Sequence, residues 1–177
     1  FRIYAYQQGK KTAQKFLSVK FKSDIIPKQY KYKIVSVYKH DKKAYTQGFV
    51  YQDGYIYEGT GQRGESYILK YKLEDNEPVQ SFSNKSSIFG EGIVIIGDRL
   101  IQLTYTSGKG FIYNKETFQR ISHFDFQTEG WGLTYDGEQL IMSDGSSYLY
   151  YLETNTFTKT GQFEVYDHNG PVNMLNE

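Results

Sequence analysis

Three stretches of the chain read alike: Gln47-Gly-Phe-Val-Tyr-Gln-Asp-Gly-Tyr-Ile-Tyr-Glu-Gly-Thr-Gly61, Glu91-Gly-Ile-Val-Ile-Ile-Gly-Asp-Arg-Leu-Ile-Gln-Leu-Thr-Tyr-Thr-Ser-Gly108 and Trp131-Gly-Leu-Thr-Tyr-Asp-Gly-Glu-Gln-Leu-Ile-Met-Ser-Asp-Gly-Ser146. Each opens with a large residue followed by glycine (Gly48, Gly92, Gly132). A short apolar strand, a Gly-containing turn, a second apolar strand and a polar Gly-rich loop follow. Each then continues into an aromatic-rich strand (Ser66–Leu73, Gly110–Glu116, Ser147–Glu153), a turn and a last strand (Pro78–Phe82, Phe118–Phe124, Phe157–Phe163). The repeat glycines lie 44 and 40 residues apart. Four short strands recurring every 40 or so residues, with periodic glycines and aromatics, are the signature of β-propeller blades.

Composition agrees with an all-β fold. The 177 residues include 18 Tyr, 12 Phe and one Trp, with only three Ala, and aromatic and β-branched side chains suit a pleated surface better than a helix. A hydrophobic fraction of 38% with 23% charge is globular, which excludes disorder for most of the chain. No apolar run approaches the roughly 20 residues that span a bilayer, so no membrane span is expected. There is no Cys, hence no disulfide or thiolate ligand. His40, His123 and His168 are too far apart in sequence for the short local spacing of common zinc sites, so neither metal nor cofactor is expected. The net charge of +1 is unevenly spread: residues 1–43 carry 12 Lys/Arg against two Asp, and residues 44–177 nine against 18 Asp/Glu. The positive charges alternate with apolar residues (Lys20-Phe-Lys22, Lys31-Tyr-Lys33), as on the solvated face of a strand, and this reading is preferred to a nucleic-acid or membrane-surface arm.

Outside the repeats, Phe1–Tyr6 and Thr12–Phe21 read as two strands joined at Gly9. Two strands are seldom stable alone, so residues 1–22 are assigned to an upstream β-sandwich-like domain. Residues 23–29, with Pro27 flanked by charge, form a linker, and residues 30–177 form the propeller. That last segment holds the strand Tyr32–Tyr38, three blades and, from Pro171, the beginning of a fourth. Propellers close with at least four blades, so the chain is expected to stop in mid-fold.

In a propeller the first strand of each blade lines the central channel, and equivalent positions face one another. The residue before each repeat glycine is such a position: Gln47, Glu91 and Trp131, with Asn176 next by spacing. Apolar residues are the ordinary expectation there. Two amides, a carboxylate and the only Trp in the chain are harder to attribute to packing.

The strings His40-Asp41, Tyr45-Thr-Gln-Gly48, Tyr57-Glu-Gly-Thr-Gly61, Phe89-Gly-Glu-Gly92, Gly97-Asp-Arg-Leu-Ile-Gln-Leu-Thr104, Glu129-Gly-Trp-Gly-Leu-Thr134, Leu140-Ile-Met-Ser-Asp-Gly-Ser-Ser147 and Leu175-Asn-Glu177 resemble the plant and bacterial type of glutaminyl cyclase, or glutamine cyclotransferase. The resemblance runs from about Tyr30 to Glu177 and leaves residues 1–29 aside. It implies a five-bladed propeller that converts the N-terminal Gln of peptides or proteins to pyroglutamate, releases ammonia and uses no zinc. It also implies export, a further blade and a half, and a tryptophan and lysine of the pocket with no counterpart here. Two positions depart from the family pattern: Tyr45 stands where Phe is usual and Tyr105 where Trp is usual. Both keep an aromatic face and add a hydroxyl.

Cyclisation requires a neutral α-amine and a protonated leaving group. One carboxyl that takes a proton from the amine and delivers it to the leaving nitrogen meets both needs, and Glu91 is the candidate. Beside Phe89 and Trp131 its pKa is expected to rise by desolvation. Gln47 and Asn176 can hold the substrate amide or its oxyanion, Trp131 can pack against the substrate methylenes, and Tyr105 lines the same pocket. A non-catalytic propeller that binds peptides through this channel is the alternative, and a calcium-dependent lactonase-like propeller, with only Glu91, Gln47 and Asn176 as ligands, ranks behind both. Ser143–Ser147 reads as a turn rather than a metal or phosphate loop, Asp41 as a cap leading into the first blade, and His123 and His168 as surface residues. Gly59-Thr-Gly61 and Gly108-Lys-Gly110 open no helix, which removes a nucleotide-binding reading. Oligomeric state is not legible.

Overall fold

A computed structural model describes residues 1–75 and 77–177, and among them every regular element is a strand. The N-terminal hairpin pairs β1 (Arg2–Gln7) with β2 (Lys10–Phe16). Gln8 and Gly9 both adopt positive φ, 48° and 77°, as a two-residue turn matched to strand twist requires. Every residue of both strands is exposed. The segment after the hairpin is tied to the rest by the Ser23 N–H, which donates to the Asp167 carbonyl at 2.9 Å.

The repeats form three four-stranded antiparallel sheets, each in simple sequence order. The first holds β3 (Thr46–Gln52), β4 (Tyr55–Thr60), β5 (Tyr67–Tyr71) and β6 (Gln80–Ser83). The second holds β7 (Gly90–Ile96), β8 (Arg99–Thr104), β9 (Lys109–Asn114) and β10 (Arg120–Asp125). The third holds β11 (Leu133–Tyr135), β12 (Leu140–Ser143), β13 (Tyr148–Leu152) and β14 (Lys159–Glu164). A short ladder of β15 (Tyr166–Asp167) and β16 (Gly170–Pro171) follows.

Period-two alternation explains how the sheets stack. In the second sheet Ile93, Ile95, Leu100, Phe111 and Tyr113 turn toward the first sheet and pack with Tyr57 and Ile68. Their sequence neighbours Val94, Ile101, Leu103 and Ile112 turn the other way and pack with Leu133, Leu140, Met142 and Leu152 of the third. The middle sheet is thus buried on both faces, whereas the first exposes Phe49, Tyr51 and Tyr67 and the third Tyr135 and Phe163. Between the third and fourth strands of the second and third sheets, Phe118 and Phe157 take positive φ of 56° and 57°. Packing the rings between sheets, Phe118 buried and Phe157 half-buried, offsets that backbone strain, and Phe157 stacks on Phe124 at 4.3 Å.

Two expectations are corrected. Residues 32–38 form no strand and are exposed, because among the described residues no second strand lies alongside to complete a ladder. The second hairpin strand is shorter than its alternating pattern suggested, since β1 offers partners only as far as Phe16.

Candidate active site

The first strands β3, β7 and β11 meet where the three sheets converge, and the repeated glycines permit it. A Cβ on Gly48 would lie 2.5 Å from the Ile93 nitrogen, and one on Gly92 2.6 Å from the Trp131 carbonyl oxygen. One on Gly132 would lie 2.7 Å from the Asn176 carbonyl carbon and the Glu177 nitrogen. Each repeat glycine therefore receives the backbone of the next repeat's inner segment, closer than any side chain allows.

The residue before each glycine sits in a β-bulge. Gln47 is the extra residue between the pairs Thr46–Thr60 and Gly48–Gly59, and Glu91 and Gly92 together oppose Leu103 between the pairs Gly90–Thr104 and Ile93–Gln102. Trp131 donates its N–H to the Ser143 carbonyl while the Ser143 N–H donates to the Gly132 carbonyl, so two residues again face one. Bulges re-aim side chains. Here they deliver Gln47, Glu91 and Trp131 to one cleft of about 350 Å³, lined also by Tyr45, Phe89, Tyr105 and Asn176.

Within it the Gln47 Nε2 donates to Glu91 Oε1 at 2.8 Å. Glu91 is only 4% exposed. Burial pushes its carboxyl up to about 8; the Gln47 hydrogen bond opposes this, and the like charges of Glu177 and Glu129 add to it. An aromatic arc curves around the carboxyl, with Tyr45 edge-on to Phe89 (6.1 Å), Phe89 tilted against Tyr105 (5.5 Å) and Tyr105 edge-on to Trp131 (6.4 Å). The indole is braced behind by Gly145, where a Cβ would lie 2.6 Å from the ring, and its Nε1 donates to Glu129 at 3.0 Å.

All six residues singled out in the sequence, Gln47, Phe89, Glu91, Tyr105, Trp131 and Asn176, line this one cleft. Glu129, Gly145 and Glu177 were missed. The only signal for Glu129 was its place two residues before the tryptophan. A larger cavity, about 450 Å³, lies on the open face of the first sheet between Asp41 and Ser81 and contains none of the six.

The His40-Asp41 pair divides. Asp41 accepts the Lys43 N–H at 2.9 Å in a turn before β3, while His40 Nε2 lies 3.0 Å from Glu58 Oε1. Glu58 is 1% exposed and also accepts the Thr46 and Tyr71 hydroxyls at 2.5 and 2.9 Å. It fastens the segment before β3 to β4 and β5. Glu58→Ala leaves three donors without an acceptor and is expected to cost about 3 kcal/mol or more, read as a lowered thermal midpoint; an unchanged midpoint would show that this network contributes little. His123 and His168 are exposed, and Ser143–Ser147 is a turn in which Asp144 accepts the Ser146 N–H and hydroxyl. Among the described residues no three His, Cys, Asp or Glu gather where a metal ion could be held.

The family model described as Glutamine cyclotransferase matches residues 8–177, reaching further toward the N-terminus than the motifs. The glutaminyl-peptide cyclotransferase of Arabidopsis thaliana is 32% identical over 146 residues, covering 81% of this chain and 46% of its own length. The crystal structure of Myxococcus xanthus glutaminyl cyclase superposes with a TM-score of 0.71 at 34% identity, over 78% of this chain and 59% of that one. The RRP9 WD40 repeats, at 14% identity and a TM-score of 0.54 over 73% of this chain and 41% of theirs, share the fold alone, and WD40 repeats are propellers. The chain spans about half the length of the cyclases it matches. It belongs to the glutamine cyclotransferase family.

Proposed function

We propose that the protein carrying this chain cyclises N-terminal glutamine of peptides or proteins to pyroglutamate on a five-bladed propeller, with Glu91 as the proton shuttle. The observation that carries the reading is a nearly buried carboxyl, held by an amide at 2.8 Å and walled by aromatic rings, at the meeting point of the repeats. The substrate's neutral α-amine attacks its own side-chain amide carbon and forms the lactam C–N bond. The proton lost by the amine passes to the Glu91 carboxylate. The oxyanion is met by amide N–H groups; Gln47 spends one on Glu91, while the Asn176 amide has no side-chain hydrogen bond among the described residues. Glu91 then protonates the departing nitrogen, the old C–N bond breaks, ammonia leaves and the carboxylate is restored.

Trp131 supplies the wall for the substrate methylenes. Trp131→Ala is expected to raise KM by about 10-fold to 100-fold, the worth of about 1.5–3 kcal/mol of apolar contact, with a smaller change in kcat. The reverse split would assign the indole to the chemical step. The activity itself is tested by incubating the protein with a Gln-initiated peptide and following the mass loss of one ammonia. Binding without mass loss would instead support a non-catalytic peptide-binding propeller.

A further inference from the structure

The turn Ser143–Ser147, between β12 and β13, has no part in the mechanism above, yet two of the cleft's residues rest on it. At its start Ser143 holds the Trp131 backbone: the Ser143 carbonyl accepts the Trp131 N–H at 3.0 Å, and the Ser143 hydroxyl oxygen accepts the Gly132 N–H at 2.8 Å. Two residues on, the indole lies against Gly145, where a Cβ would stand 2.6 Å from Cζ2 and 2.7 Å from Cε2. The same glycine offers its carbonyl to the Met174 N–H at 2.8 Å. Met174 stands two residues before Asn176 and takes a positive φ of 62° at this contact, a conformation that a non-glycine residue keeps only where its surroundings fix it. One glycine therefore seats both the apolar wall of the cleft and the segment that carries the Asn176 amide.

The side chain that shapes the turn is Asp144. Its Oδ1 accepts the Ser146 N–H at 3.0 Å and the Ser146 hydroxyl at 2.5 Å, closing the chain around Gly145 at its φ of 78°. Its Oδ2 accepts the Tyr150 hydroxyl at 2.8 Å, which moors the turn to β13, and Tyr150 packs against the core between the second and third sheets. The equivalent loops of the other two sheets are closed differently. There a threonine at the end of the second strand bonds the far side of the loop: Thr60 with the Glu65 carbonyl and the Tyr67 N–H, Thr104 with the Lys109 carbonyl and N–H. In the third sheet that position is Ser143, whose hydroxyl is turned to Gly132, and the closing bonds pass to Asp144. Closing a hairpin does not require this exchange, whereas holding Trp131 does. Resting on the cyclase reading, we propose that Asp144 is a positioning residue for cyclisation: it fixes the turn in the shape that seats Trp131 and Asn176 together. Wall and amide are placed by one element, so disturbing it disturbs both. Lost methylene packing appears in KM, and a displaced oxyanion donor appears in kcat.

The test reads the seat and the reaction separately. In the complete, substrate-free protein the indole N–H resonance of Trp131, identified by its loss in Trp131→Phe, reports where the ring sits through its 3.0 Å bond to Glu129. Asp144→Ala is expected to move that resonance, to raise KM about fivefold or more and to lower kcat about tenfold or more. Asp144→Asn keeps an oxygen for the Ser146 N–H and should restore most of the wild-type behaviour in all three. In a Trp131→Ala background Asp144→Ala should no longer raise KM but should still lower kcat, because only the contact toward Asn176 remains to be lost. Tyr150→Phe frees one mooring and leaves the ring in the core; it is the second variant should Asp144→Ala fold poorly, and the resonance should move the same way by less. An unmoved resonance with KM and kcat within about twofold of wild type overturns the proposal. A rise in KM with kcat unchanged also overturns it, since the turn would then serve the indole alone. A moved resonance in a protein that releases no ammonia upholds the seat and removes the cyclase reading.

Discussion

Glu91→Gln is expected to fold, to bind Gln-initiated peptides nearly as the wild type does, and to cyclise them at least about 100-fold more slowly. The substitution keeps volume and hydrogen-bonding reach, so the 2.8 Å contact with Gln47 can survive, but an amide cannot carry the proton from amine to leaving group. Stability should respond with a sign that identifies the same carboxyl. Burial raises its pKa from 4.5 to about 8, so between these values the folded wild type binds more protons than the unfolded chain and loses stability as pH rises. The stability is complete below 4.5 and is lost through about 8. The glutamine variant has no such ionisation. Its thermal midpoint should therefore fall less than that of wild type across that window, and reach or exceed it at the alkaline end. Steady-state kinetics beside melts at several pH values decide the matter. A variant that melts in this way and still cyclises at more than a tenth of the wild-type rate would take the shuttle from Glu91 and leave positioning by the amides and aromatic arc as the mechanism.

Most of this site was legible because one physical demand recurs along the chain. The inner segment of each repeat must admit the backbone of the next, which only glycine allows, and the bulge that accommodates the crowding turns the preceding side chain inward. A large residue before glycine at intervals of 44 and 40 residues is therefore both the architectural signal and the site signal. The bulges themselves were not legible, since register is set by the partner strand. The carboxyl of Glu177 was invisible for a related reason: its place depends on a gap at Gly92, 85 positions earlier. Glu58 read as one letter of a motif, and its burial among His40, Thr46 and Tyr71 emerges only when three segments converge. Residues 32–38 mark the opposite failure. Alternating Lys and apolar residues describe a strand only where another strand supplies the ladder, and among the described residues none lies beside them.

Gly48→Ala is expected to separate the first two sheets and to lower both stability and turnover. A methyl group there would stand 2.5 Å from the Ile93 nitrogen, 2.9 Å from its Cγ1 and 3.1 Å from the Gly92 carbonyl carbon. Two of these atoms are backbone in a central strand, so no rotamer change relieves the overlap and β3 must move away from β7. Overpacking of this kind costs about 2–4 kcal/mol when the obstruction cannot yield. The same displacement pulls Gln47, the preceding residue, from its 2.8 Å hydrogen bond to Glu91, so the rate should fall even in the fraction that remains folded. Gly161→Ala is the control: its nearest neighbour would be Tyr151 Cδ2 at 3.5 Å, an ordinary contact, and stability should stay within about 0.5 kcal/mol of wild type. Denaturant melts of both variants, with rates measured well below each midpoint, separate loss of fold from loss of geometry. If Gly48→Ala melted with the control and cyclised at the wild-type rate, the close approach of β3 to Ile93 would not be what holds the two sheets and their paired site residues in register.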